Sequence, residues 1–147
     1  PAIFAQKGSY FSIAGPSPAD CLVYPVPPQP ALSLGVHLTV DLAGRARLGP
    51  DRSPAASSAD LHVDPARAAA FFAAASRFLP HLKLSDLQPA YAGVRPALGG
   101  DSFADFWIRS RHNEGLPHWI DLIGIDSPGL TAALAIAARV SDLVALI

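Results

Sequence analysis

The sequence has no methionine, a single cysteine (Cys21) and few charges: Asp, Glu, Lys and Arg make up 16% of its 147 residues. One cysteine excludes an internal disulfide and favours a reducing compartment, here expected to be the cytoplasm. The net charge of −1 contains no basic stripe, which argues against a nucleic-acid partner. There is no GxGxxG turn, no Walker lysine loop and no GxSxG elbow, so the chain lacks its own dinucleotide cradle, phosphate loop and hydrolase nucleophile. No His or Cys stands at ligand spacing from His37, and His112 and His118 flank a loop, so no metal site is expected. Long apolar runs are missing too. The last 20 residues are mostly apolar, but Arg139 and Asp142 interrupt them, which suits a buried helix better than a membrane span. No secretory signal opens the chain, and a start at Pro1 without any Met is expected of a segment of a longer polypeptide. Soluble domains typically carry about 25% charged residues, so the shortfall implies surface covered by another domain or by another copy of the chain.

What is present suits one folded body with a real core, since half of the residues are apolar. "KGSYFSIAG" (7–15) reads as a strand bounded by glycines, and "CLVYPVP" (21–27) as a short strand halted by prolines. "PVPPQP" (25–30) has four residues without an N–H and should form an extended loop. "LSLGVHLTVDL" (32–42), the turn "AGR" and "RARLGP" (45–50) form the clearest hairpin. Ser, Ala and Pro dominate 51–60, which reads as a surface loop and the least ordered part of the chain. Asp64 and Pro65 then suit the cap and first position of a helix whose apolar face includes Phe71, Phe72, Ala75 and Phe78, ending at Pro80. Strands are expected over 90–98, 105–110 and 118–125, and a final helix from Pro128. Hairpin-length connections and the order strands, helix, strands, helix give an α+β fold, a mixed and mostly antiparallel sheet with helices packed on it.

Three stretches can carry chemistry. In "GIDSPGLTAALAIA" (124–137), Ser127 can cap the last helix, Pro128 can set its first turn, and Gly129 lets the backbone approach a neighbour closely. The open amides of such an end favour partial negative charge. Ordinary capping explains the same residues. In "AGVRP", Arg95 sits in an apolar strand, and its planar fork needs a carboxylate, either internal or from a bound acid. In "GVHLT", His37 can be a structural residue or a base. Tyr10, Tyr24 and Tyr91 can turn hydroxyls into a cleft or serve as ordinary packing.

Taken together, "YPVP", "LGVHLTVDLAGRARLGPD", "AYAGVRPALGGD" and "IGIDSPGLTAALAIAARV" resemble the C-terminal half of a FAD-dependent oxidoreductase of the D-amino-acid oxidase/glycine oxidase superfamily, and within it the L-2-hydroxyglutarate dehydrogenase/oxidase group. The resemblance runs from about Lys7 to the end. It implies FAD as cofactor and a small carboxylic acid as substrate. Residues 1–117 would belong to the substrate-binding domain, and 118–147 would return to the FAD-binding domain. By the same likeness Ser127, Pro128, Gly129, Leu130 and Thr131 would line the isoalloxazine edge. Arg95 would hold the substrate carboxylate, with Tyr24 and Tyr91 at the substrate, and His37 would be a catalytic residue of less defined role. The expected reaction is oxidation of a 2-hydroxy acid to the 2-oxo acid. Amine oxidation of a D-amino acid or glycine, and a non-catalytic assembly module, are the rival readings. The N-terminal GxGxxG half is absent, so the expected partner is that missing half or a second copy, and the chain by itself should be inactive.

Overall fold

A computed structural model describes residues 1–26, 35–99 and 104–146. Its elements in order are β1 (Ile3–Ile13), β2 (His37–Val40), β3 (Ala46–Gly49), β4 (Ser53–Pro54), α1 (Ala68–Ala75), β5 (Leu87–Leu98), β6 (Trp107–Ser110), β7 (Ile120–Ile123) and α2 (Ala133–Ala145). Packing divides them into two compact units, residues 6–94 and residues 1–5 with 95–147. The expected functional division at 117/118 falls between β6 and β7, which pair with each other.

In the unit 6–94, β2 and β3 form the expected hairpin, with His37 opposite Gly49, Leu38 opposite Leu48 and Thr39 opposite Arg47. β3 pairs antiparallel with β1 (Phe11 opposite Leu48, Ser12 opposite Arg47), β4 pairs with the start of β1, and β5 also pairs with β1. Side chains alternate across a strand, so this register sorts them onto two faces. One face carries Phe11, Leu38 and Leu48, each fully buried. α1 covers it through Phe71, whose ring lies 4.7 Å from that of Phe11, and through Ala75. The other face carries His37, Thr39, Arg47, Tyr10 and Ser12, the polar and aromatic residues of the same strands.

Several local expectations are corrected. The strand expected over 21–27 is reduced among the described residues to one bridge, Val23 with Leu38, because Pro25 has no amide with which to extend the ladder. β2 begins only at His37, and residues 27–34, which include most of the "PVPPQP" stretch, lie outside the described residues. The loop 51–60 is tied down: Ser53 and Pro54 pair with Lys7 and Gln6, Lys7 Nζ meets Asp60 at 2.6 Å, and Asp51 accepts from the Ser9 amide and from Arg67. As expected, Asp64 accepts from the Ala66 amide, but the first turn it caps (Pro65–Arg67) is a 3₁₀ turn leading into α1.

In the other unit, β6 and β7 form a two-stranded antiparallel pair, and α2 packs against β6. Arg111 bridges Glu114 (2.5 Å) and Asp121 (3.0 Å) across the connecting loop, and Arg109 pairs with Glu114 while lying over the Trp107 ring. α2 starts at Ala133, five residues after the expected start. Ala132 is its N-cap and offers no side-chain cap, so Ser127 does not cap this helix. The residues between form consecutive turns: Gly129 N–H donates to the Asp126 carbonyl, Ala132 N–H to Pro128 and Ala133 N–H to Leu130. Those backbone groups are satisfied locally before the regular helix begins.

Candidate functional site

The uncovered sheet face of the unit 6–94 gathers four of the residues singled out from the sequence, Tyr10, Tyr24, His37 and Tyr91. The Val23–Leu38 bridge sets Tyr24 beside His37, and their rings stack with centroids 4.3 Å apart at 18°. His37 is only 6% exposed, and its Nδ1 lies 3.2 Å from the Gly35 carbonyl oxygen. A carbonyl only accepts, so Nδ1 carries the proton and Nε2 keeps its lone pair. Burial is the larger influence on this ring and lowers its pKa below the ordinary histidine value, against the opposing pull of Gly35. A neutral imidazole with one nitrogen fixed and the other basic can accept a proton.

Opposite His37 stands Gly49, at φ 138°. A β-carbon there would lie 2.7 Å from the Ser9 carbonyl oxygen and 2.8 Å from the Tyr10 ring. The Tyr10 ring thus occupies the place that any side chain at 49 would need. Tyr91 stacks on Tyr10 at 4.5 Å, and the Arg47 guanidinium lies 5.9 Å from the Tyr91 centroid. The result is an aromatic floor from Tyr24 and His37 across Gly49 to Tyr10 and Tyr91. Reading the sequence missed Gly49 and Arg47 as members of this floor. The "RARLGP" return strand contained them, but only the register shows that Gly49 faces His37.

Arg95 and the 127–131 turn lie in the other unit. Arg95 is half-buried, and its guanidinium makes no hydrogen bond or ion pair with any described residue. Of the two partners open to Arg95, an internal acid is not found among the described residues. Three residues on, the Leu98 side chain packs against the α-carbon of Gly124, three residues before Ser127, so the end of β5 meets the start of the turn. Within the turn Gly129 is buried, and its close contacts are with Ile125 and the Asp126 carbonyl of its own loop. Ser127, Pro128, Leu130 and Thr131 are exposed.

A family of known proteins, FAD dependent oxidoreductase (DAO), matches residues 1–143. The chain belongs to this FAD-dependent oxidoreductase family. A mitochondrial L-2-hydroxyglutarate dehydrogenase of Arabidopsis thaliana is 38% identical over 155 residues, covering 97% of this chain and 32% of that protein. Among solved structures, the dithionite-reduced L-alpha-glycerophosphate oxidase of Mycoplasma pneumoniae, with FAD bound, matches at a TM-score of 0.73 and 25% identity, over 96% of this chain and 36% of the other. The chain thus spans about a third of the length of these relatives. The α+β arrangement expected from the sequence is the one observed, and it is that of a FAD-dependent oxidoreductase. FAD is the family's cofactor, and the residues present fit one end of it. The exposed part of the 127–131 turn has no charged side chain and leads into a helix N-terminus, a neutral edge suited to the pyrimidine side of a flavin. No GxGxxG turn for the pyrophosphate occurs in the sequence. Among the described residues no group of His, Cys, Asp and Glu could hold a metal ion, and no helix is long and apolar enough to cross a membrane.

Proposed function

We propose that this chain is the substrate-facing and flavin-edge part of an oxidoreductase that converts a 2-hydroxy acid, of the L-2-hydroxyglutarate kind, into the 2-oxo acid. The single observation that carries the reading is His37: buried, uncharged, tethered through Nδ1 and stacked on Tyr24, with Nε2 left basic. Loss of hydride from a carbinol carbon requires loss of the hydroxyl proton, and Nε2 is the group that takes it. FAD, held at the 127–131 turn, would supply the hydride acceptor. Arg95 holds the substrate carboxylate through its planar fork; the absence of a partner among the described residues supports that role. Tyr24 keeps the His37 ring in plane, and Tyr91 contributes to the floor beneath the substrate. Ser127, Pro128, Gly129, Leu130 and Thr131 border the flavin ring, presenting it an edge without charged side chains. In this scheme 1–117 serves the substrate-binding domain and 118–147 the FAD-binding domain. The 38% identity to a protein named L-2-hydroxyglutarate dehydrogenase supports the substrate class. The lone Cys21 suits a reducing compartment, cytoplasmic on sequence grounds, while the A. thaliana relative is mitochondrial by name.

The test uses the intact protein. His37→Gln should lower kcat for a 2-hydroxy acid by about 10²-fold or more, the size of a lost general base, with little change in KM. Arg95→Lys should mainly raise KM. Unchanged kcat in the first variant would remove the base, and turnover of an amino acid with release of ammonia would replace the hydroxy acid by an amine.

A further inference from the structure

We infer that Tyr24 is a positioning residue that acts through His37: its ring, not its hydroxyl, keeps water off the imidazole and so extends the base's working range toward acid. Register decides which side chains can cover His37. In an antiparallel ladder the nearest neighbours on one face are the residues directly opposite, about 4.5–5.5 Å away. On the β3 side that residue is Gly49, which has no side chain. On the other side the Val23–Leu38 bridge puts Tyr24 opposite, and its ring lies 4.3 Å from the imidazole at 18°. His37 is nonetheless only 6% exposed, whereas Tyr24 is 53% exposed. Of the two cross-strand neighbours, Tyr24 alone can shield the imidazole. One face of its ring lies on His37, and the rest of it stays in solvent.

Burial governs this ring because no charge competes with it. The charged residues two positions from Gly49 are engaged elsewhere: Arg47 with Asp41 at 2.8 Å, and Asp51 with the Ser9 amide and Arg67. On the side of Tyr24, Asp20 and Cys21 are exposed. The Gly35 carbonyl favours the charged ring, yet burial outweighs it and holds the pKa below the ordinary histidine value. Without the cover, water would solvate the imidazolium and the pull of the carbonyl would stand unopposed. The Tyr24 hydroxyl makes no hydrogen bond with any described residue, and a stack is made by ring faces, so phenylalanine would serve as well. The shielding stands apart from the proposed reaction; only its consequence for turnover rests on His37 being the base.

Two measurements on the intact protein test this. The His37 imidazole, assigned by its loss in His37→Gln, is titrated by NMR. Tyr24→Ala should move its midpoint up, toward the value of about 6.5 usual for histidine, and Tyr24→Phe should leave it in place. Tyr24 is half exposed and the bridge beside it is made by the Val23 backbone, so neither variant threatens the fold. Turnover of a 2-hydroxy acid then reads the consequence. A histidine of ordinary pKa is only about one-quarter neutral at pH 6, so kcat/KM of Tyr24→Ala should fall there to about a quarter of its value at pH 8. The loss should be smaller in the unaltered protein and in Tyr24→Phe. An unmoved midpoint in Tyr24→Ala overturns the inference, and so does a midpoint that moves as far in Tyr24→Phe. A midpoint that moves while the pH profile stays put upholds the shielding and removes His37 as the base.

Discussion

Two residues of the aromatic floor show how backbone and burial set the chemistry. Gly49 is needed twice over: its φ of 138° disfavours any side chain, and a β-carbon would overlap the Ser9 carbonyl and the Tyr10 ring. Gly49→Ala should destabilise the protein by about 1–3 kcal/mol, the usual cost of overpacking, as read by urea denaturation. It should also displace Tyr10 from Tyr91 and lower turnover; full stability and activity would remove Gly49 from the account. At His37 the effect is one of linkage. Its folded-state pKa lies below the value of about 6.5 expected unfolded, because burial disfavours the charged ring. Between the two values the unfolded chain binds more protons, so this residue's contribution to stability is complete above about pH 6.5 and is lost as the pH falls below it. The difference in urea midpoint between pH 7.5 and pH 5.5 should shrink in His37→Gln, the other histidines being common to both proteins. An unaltered difference would show that His37 is not buried as a neutral ring. His37 and Arg95 could be singled out from the sequence because a polar residue in an apolar strand is conspicuous in one dimension. Gly49 and Arg47 could not, because their meaning depends on what stands across the ladder.

Elements were legible where their signals are local. The β2–β3 hairpin follows from alternation and a glycine turn, and α1 from an Asp-Pro start with apolar residues at helical spacing. Pairing between distant segments was not. β4 is two residues long, and the loop around it is held by Lys7 to Asp60 and Asp51 to Ser9, partners 53 and 42 positions apart. The late start of α2 was hidden for the opposite reason: Ser-Pro-Gly is a good helix opening, yet here the chain makes turns whose hydrogen bonds satisfy the same amides. α1 matters to the proposed function because it backs the sheet whose other face carries His37. Phe71, 1% exposed against Phe11, is its main contact. Phe71→Ala should cost about 3–5 kcal/mol by urea denaturation. A loss below about 1 kcal/mol would mean that the sheet is supported without α1.

On the scale of the whole molecule, the low charge content and the surface of α2 point the same way. No residue of α2 is buried, and Leu130, Leu134 and Leu146 are 93%, 88% and 78% exposed. Apolar surface of this extent marks a face that another body covers. We propose that the covering body is the remaining two thirds of a protein as long as its relatives, or a second copy. Leu134→Glu in the intact protein separates these possibilities. Burial of a leucine is worth about 1.5–3 kcal/mol, and an unpaired carboxylate under a covering domain adds to the loss, so FAD retention should fall by tenfold or more. Leu84→Glu, at a leucine 48% exposed on a 3₁₀ turn, should leave retention alone. If Leu134→Glu instead keeps its FAD and changes the sedimentation coefficient, the face of α2 joins copies of the chain, and the flavin-edge role of the adjoining 127–131 turn must be given up with it.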